Sequence, residues 1–241
     1  MKNASSPSQN ESLRSPVTTA AAIASANVIG RKSAAAVHLM RQLYVQVEGT
    51  ARLEAFSDGV FAIAATLLVL EIGVETPRDL GSELLRIWPS YLAYVTSFLT
   101  IGIIWINHHH CVSLLRRVDR PFLFVNTLLL LSISFIPFPT KLVADFLQRD
   151  GERQAVYAYA ATLLVMAVLY NLWWRYARGN RRLIREDVRD SALVAVDRAF
   201  DPGVPAYAIT FAVAVFSPLA SVILTLVLAA FYLPSAALFE R

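Results

Sequence analysis

The chain has 241 residues, 56% of them hydrophobic, a formal net charge of +4 and a mean hydropathy of +0.50. Soluble domains sit nearer about 45–50% apolar, so one soluble core is excluded and an all-α integral membrane protein is indicated. The net charge is small and its basic residues lie mostly in the tail and in loops between apolar runs, which excludes nucleic acid as a partner; a single cysteine, Cys111, excludes an intrachain disulfide.

Residues 1–50 are rich in Ala, Ser and Thr and show no sustained periodicity. Before Glu48 the only acid is Glu11, against Lys2, Arg14, Arg31, Lys32 and Arg41. This composition predicts a mostly disordered cytoplasmic tail. The apolar part of 17–29 is Ala rather than Leu, which argues against a signal-peptide core.

Residues 51–241 read as a six-helix membrane domain with spans at about 53–74, 84–110, 121–146, 154–177, 204–217 and 219–238. Pro137 and Pro139 should kink or divide the third span. The last apolar block is too long for one crossing, and Ser217-Pro218 divides it. Basic loops alternate with less basic ones. Arg116, Arg117 and Arg120 follow the second span, and Arg175, Arg178, Arg181, Arg182, Arg185, Arg189 and Arg198 follow the fourth. The alternation predicts an even number of spans with both termini in the cytoplasm. The mixed segment 183–200 suits the cytoplasmic interface.

The first span holds Asp58 about one and a half turns inside an apolar run, where an ionised carboxylate must be paired, hydrated or functional. At about 100° per residue, Ile63, Thr66, Leu67 and Leu70 form one narrow stripe. Arg52 and Phe56 fall near it. Asp58, Ala62, Ala65 and Val69 form a second stripe, whose small residues suit close helix packing. The second span runs antiparallel to the first and ends in Trp105-Ile106-Asn107-His108-His109-His110. Ser57, Asp58, Trp105, Asn107 and His108 or His109 therefore reach one depth, where indole, amide and imidazole groups can donate to the carboxylate. Three consecutive histidines point about 100° apart and cannot ligate one ion together. No phosphate loop, nucleophile elbow, catalytic carboxylate pair or carbonyl-filter motif is present, so neither enzyme chemistry nor a cofactor is expected.

Arg52-x-x-x-Phe56-Ser57-Asp58 resembles the signature of the endosomal/lysosomal potassium channel family, of the transmembrane protein 175 type. Thr66-Leu-Leu-Val-Leu-Glu71 and Trp105-x-Asn107-His108-His109 resemble it too, and the likeness covers roughly residues 50–240. The resemblance implies a bacterial single-repeat member, a homotetramer in the plasma membrane whose first helices line a central pore. It places Ile63, Leu67 and Leu70 at a hydrophobic constriction and Thr66 at a position tied to potassium preference. It places Arg52, Phe56, Ser57 and Asp58, with Trp105, Asn107 and His108 or His109, in an interhelical network that holds the pore helix.

The function expected on these grounds is a leak-like, potassium-permeable channel in the lipid bilayer. An apolar ring gates by dewetting and makes the ion shed water, which favours potassium over the more tightly hydrated sodium. No span has the spaced arginines of a voltage sensor. The alternatives are a proton or non-selective cation channel and, with less support, a secondary transporter, which the missing internal repeat disfavours.

Overall fold

The computed structural model describes residues 50–73, 79–179 and 181–237, all within one compact unit, Gln46–Arg241. The tail expectation for 1–50 falls, apart from Thr50, outside the described residues. The described structure is helical: α1 Thr50–Leu70, α2 Leu80–Arg86, α3 Trp88–Ser113, α4 Arg120–Phe135, α5 Pro137–Phe146, α6 Glu152–Gly179, α7 Asp190–Phe200, α8 Gly203–Phe216 and α9 Pro218–Ala237. Five helical stretches are long and apolar enough to cross a membrane: Thr50–Leu70, Trp88–Ser113, Arg120–Phe146, Glu152–Gly179 and Asp190–Phe216. Pro218–Tyr232 is a shorter apolar helix.

The breaks have local causes. Pro137 has no N–H to give to Ile133, and Ile136 bonds Ile133 in a tighter turn at 3.1 Å, so the apolar stretch 120–146 becomes α4 and α5. Ser217 adopts an extended conformation (φ −147°, ψ 104°), its hydroxyl accepts from the Ala220 N–H, and Pro218 starts α9. Ser221 then donates to the Thr210 carbonyl at 2.8 Å, pinning α9 to α8. Between α5 and α6, Gln148 (φ 67°) and Gly151 (φ 97°) turn the chain. A Cβ on Gly151 would meet the Phe146 ring at 3.2 Å.

Helix α6 forms the centre of the bundle, packing on α4, α5 and α8, while α3 packs on α5 and α9. Its Trp173, Trp174, Tyr159 and Leu163 are fully buried. Ser97 of α3 meets both Thr140 of α5 (2.8 Å) and Tyr159 of α6 (3.0 Å), a buried polar knot that fixes three helices against one another. In α7 the apolar residues Leu193, Val196 and Phe200 are buried within the protein, and Trp174 donates to Asp197 at 2.8 Å. The amphipathic face of 190–200 is thus spent on the protein itself rather than left free for the interface.

The two arginine-rich loops meet at one end of the bundle. Arg116 N–H donates to Leu183 O at 2.8 Å, and Arg185 N–H to Leu114 O at 3.0 Å. Arg116 pairs with Glu186, and Arg182 with Asp119 at 2.8 Å. Asp119 caps α4 by accepting from Phe122 N–H at 3.0 Å and also accepts from the Tyr176 hydroxyl. Burial pushes its carboxyl upward, but the Phe122 N–H, Tyr176 and Arg182 outweigh that and hold it below the usual value.

Candidate functional site

Helix α1 presents three faces. One is buried: Leu53, Ser57, Phe61, Ala64 and Leu68 are all at most 6% exposed, at the i, i+4, i+8, i+11, i+15 spacing of one helical stripe. A second is open and apolar: Phe56, Ile63, Leu67 and Leu70 are 63%, 61%, 40% and 73% exposed. Arg52 and Thr66 lie on it. The third flanks the others. There Asp58, Ala62 and Ala65 join Phe98 and Trp105 of α3 in lining an apolar groove of about 540 Å³. The stripe of Asp58, Ala62, Ala65 and Val69, expected to pack, therefore does not form the internal seam; Val69 is 51% exposed. The seam lies one helical step round, where larger side chains fill the bundle.

The Thr66 hydroxyl donates to the Ala62 and Ile63 carbonyls, at 2.9 and 3.0 Å. Its proton is thereby engaged, which leaves the oxygen of this exposed residue able to act as an acceptor.

Antiparallel packing of α1 on α3 makes a two-rung ladder. Glu54 and Asp58 stand four residues apart on α1, Trp105 and His109 four apart on α3. Trp105 Nε1 donates to Asp58 Oδ1 at 2.8 Å, and His109 Nδ1 meets Glu54 Oε1 at 2.8 Å. The i, i+4 spacing on both helices lets the pairs stack.

Beside the ladder is a buried relay across three helices. Asn126 of α4 donates through Nδ2 to Ser57 Oγ at 3.3 Å and faces His108 Nε2 with Oδ1 at 3.0 Å. That amide orientation makes Nε2 the protonated nitrogen of His108. The imidazole stacks on Trp173 of α6 with ring centroids 4.8 Å apart and tilts against Phe61 of α1 at 5.4 Å.

The structure thus brings Ser57, Asp58, Trp105, His108 and His109 of the expected network to the α1 junction, in two separate groups. Arg52, Phe56 and Asn107 do not join. Arg52 and Phe56 lie on the open face, and Arg52 makes no ion pair among the described residues. Asn107 sits about 200° round α3 from Trp105, facing a groove shared with Met166, Tyr170, Phe200 and Tyr207. Glu54, Asn126 and Trp173 join the site from outside the motif residues that the sequence singles out. A lone Asn inside an apolar span is the signal that points to Asn126, since such a group requires a partner.

The family model for the endosomal/lysosomal potassium channel TMEM175 matches residues 52–137, which hold α1 to α4 and all of this junction except Trp173. A potassium channel of Chamaesiphon minutus is 42% identical over 188 residues, covering 76% of this chain and 93% of its own length. The endosomal/lysosomal proton channel TMEM175 of Gallus gallus is 33% identical over 143 residues, 54% of this chain but 28% of that larger protein. Among solved structures, the crystal structure of a lysosomal potassium-selective channel TMEM175 homolog from Chamaesiphon minutus superposes with a TM-score of 0.72 at 40% identity, covering 78% of this chain and 98% of that one. These relatives are channels, not enzymes.

Proposed function

The chain belongs to the TMEM175 family of membrane ion channels, and on that premise we propose that it forms a potassium-permeable, leak-like pore lined by α1. The observation that carries this reading is the open apolar face of α1. Ile63, Leu67 and Leu70 stay exposed over two turns while the opposite face is fully buried. Copies of the chain related by a symmetry axis would bring these side chains to a common ring. A homotetramer with six spans per subunit, 51–241 as the channel domain and both termini in the cytoplasm of a bacterial plasma membrane is the arrangement proposed. The alternation of basic and less basic loops supports the orientation.

In that arrangement the pore works without a carbonyl filter. Ile63, Leu67 and Leu70 form a hydrophobic constriction that admits an ion only after it loses water, which costs potassium less than sodium. The Thr66 oxygen, with its proton turned to the backbone, offers lone pairs to the passing cation. The Glu54–His109 and Asp58–Trp105 rungs, with the Ser57–Asn126–His108 relay, hold the pore helix at a fixed rotation, so that the apolar stripe faces the axis.

Potassium flux from proteoliposomes tests the reading. Flux that falls when sodium replaces potassium, and that changes in Leu70→Ala, is the expected result; folded protein in which neither variant nor wild type passes ions would sink it. One second reading has its own support, a proton-conducting channel. The animal relatives are named proton channels, and Glu54 and Asp58 on the pore helix, with His109 of α3 beside it, supply titratable groups. Reversal potentials that follow the pH gradient rather than the potassium gradient would favour it.

A further inference from the structure

Resting on the pore reading above, we infer that Lys141 sets the electrostatic field at the mouth of the pore beyond Leu70, by neutralising the Glu71 carboxylate and holding it aside. Glu71 follows directly on Leu70 at the end of α1, at the end of the bundle away from the arginine-rich loops. On an ideal helix it stands about 80° from Ile63 and about 100° from Leu70, at the flank of the open stripe rather than on it. Lys141, from the first turns of α5, reaches it: Nζ lies 3.6 Å from Glu71 Oε2 and 3.5 Å from Asp145 Oδ2. One lysine thus serves two carboxylates. The Glu71 side chain is 25% exposed, against 47% for Lys141 and 44% for Asp145, so the Glu71 carboxylate is the most shielded of the three.

An ion pair this open to water adds little to stability. Its charge acts further. Every copy of the chain around an axis repeats the Glu71–Lys141 pair, so losing one member of it adds one unit charge per subunit at the mouth. A single unit charge at about 10 Å in water changes local counter-ion concentration about twofold, and several copies multiply the effect. Lys141 is therefore a conductance-determining residue that contacts no permeating ion, and Glu71 is the group through which it acts.

The test is K+ conductance of the full chain in planar bilayers at 10 mM and 1 M KCl, where the screening length is about 30 Å and about 3 Å. Lys141→Gln frees the Glu71 charge and should raise cation conductance at least about twofold at 10 mM, with the gain vanishing at 1 M. Glu71→Gln removes one negative charge per subunit, leaving Lys141 balanced by Asp145 alone, and should lower it at 10 mM. The double variant restores the balance and should return to near wild type, as should Lys141→Arg. Single variants that shift conductance in the same direction, or by the same factor at both salt concentrations, would make the pair a mechanical staple and overturn the inference. Wild-type protein that carries no K+ current would overturn the pore reading itself, a distinct outcome.

Discussion

Asn126 is where a single substitution should show how α1 is held. It is 2% exposed, and its amide spans Ser57 of α1 and His108 of α3. Asn126→Ala removes both bonds and leaves the His108 Nε2–H buried without an acceptor. The 3.3 Å bond to Ser57 is long and weak, so most of the loss lies on the His108 side. An orphaned buried donor costs about 1–3 kcal/mol, and the deleted amide leaves space besides, for a total of about 3 kcal/mol. For a domain of this size that lowers the melting temperature by about 6–12 °C, toward the low end if the denatured state in detergent re-pairs the imidazole. Thermal unfolding of purified protein, followed by the combined fluorescence of its four tryptophans, reads it. Ser57→Ala should cost less than Asn126→Ala. A shift under about 2 °C for Asn126→Ala, in protein that keeps its oligomeric state, would refute the view that this amide organises the junction.

Three further outcomes are expected. Trp105→Phe deletes the 2.8 Å bond to Asp58 on a residue 41% exposed, and should cost about 1 kcal/mol in melting experiments while weakening potassium preference through a less fixed α1. Asp119, whose carboxyl is held below the usual value, contributes stability that is fully present above the ordinary carboxylate pKa of about 3.9 and is lost as pH falls through its folded value. The difference in melting temperature between wild type and Asp119→Asn should be constant from about pH 7 to 5 and shrink on acidification below about pH 4. Ser97→Ala breaks the buried contacts to Thr140 and Tyr159 and should lower stability by about 1–3 kcal/mol without changing ion preference, since it lies off the α1 junction.

Much of this arrangement is legible in the sequence because helical geometry decides it. The Ile63, Thr66, Leu67 and Leu70 stripe follows from spacing alone, and these residues do share the open face. Proline marks the breaks at Ile136 and Ser217 for covalent reasons that tertiary context does not override. What spacing leaves undecided is which flank of α1 meets its neighbours. Asp58 drew attention to its own stripe, yet the internal seam follows Ser57, Phe61 and Leu68. Asp58 sits at the edge of the seam, where Trp105 can still reach it. Asn107 shares the depth of its motif neighbours, but depth does not fix the face: Trp105 and His109 share one face of α3 and Asn107 points the other way. Asn126 and Trp173 come from helices remote in sequence. Their meeting with His108 depends on how α4 and α6 pack, which local pattern does not encode.

The most direct measurement is the reversal potential of Leu70→Ala beside wild type in planar bilayers with potassium on one side and sodium on the other. Leu70 is the most exposed of the stripe's three aliphatic residues, at 73%, and its side chain makes up one layer of the proposed ring. Shortening it should widen the constriction, raise current and move the reversal potential toward zero as discrimination falls. An unchanged current and reversal potential, in a variant that assembles as wild type does, would contradict the assignment of this face to the pore.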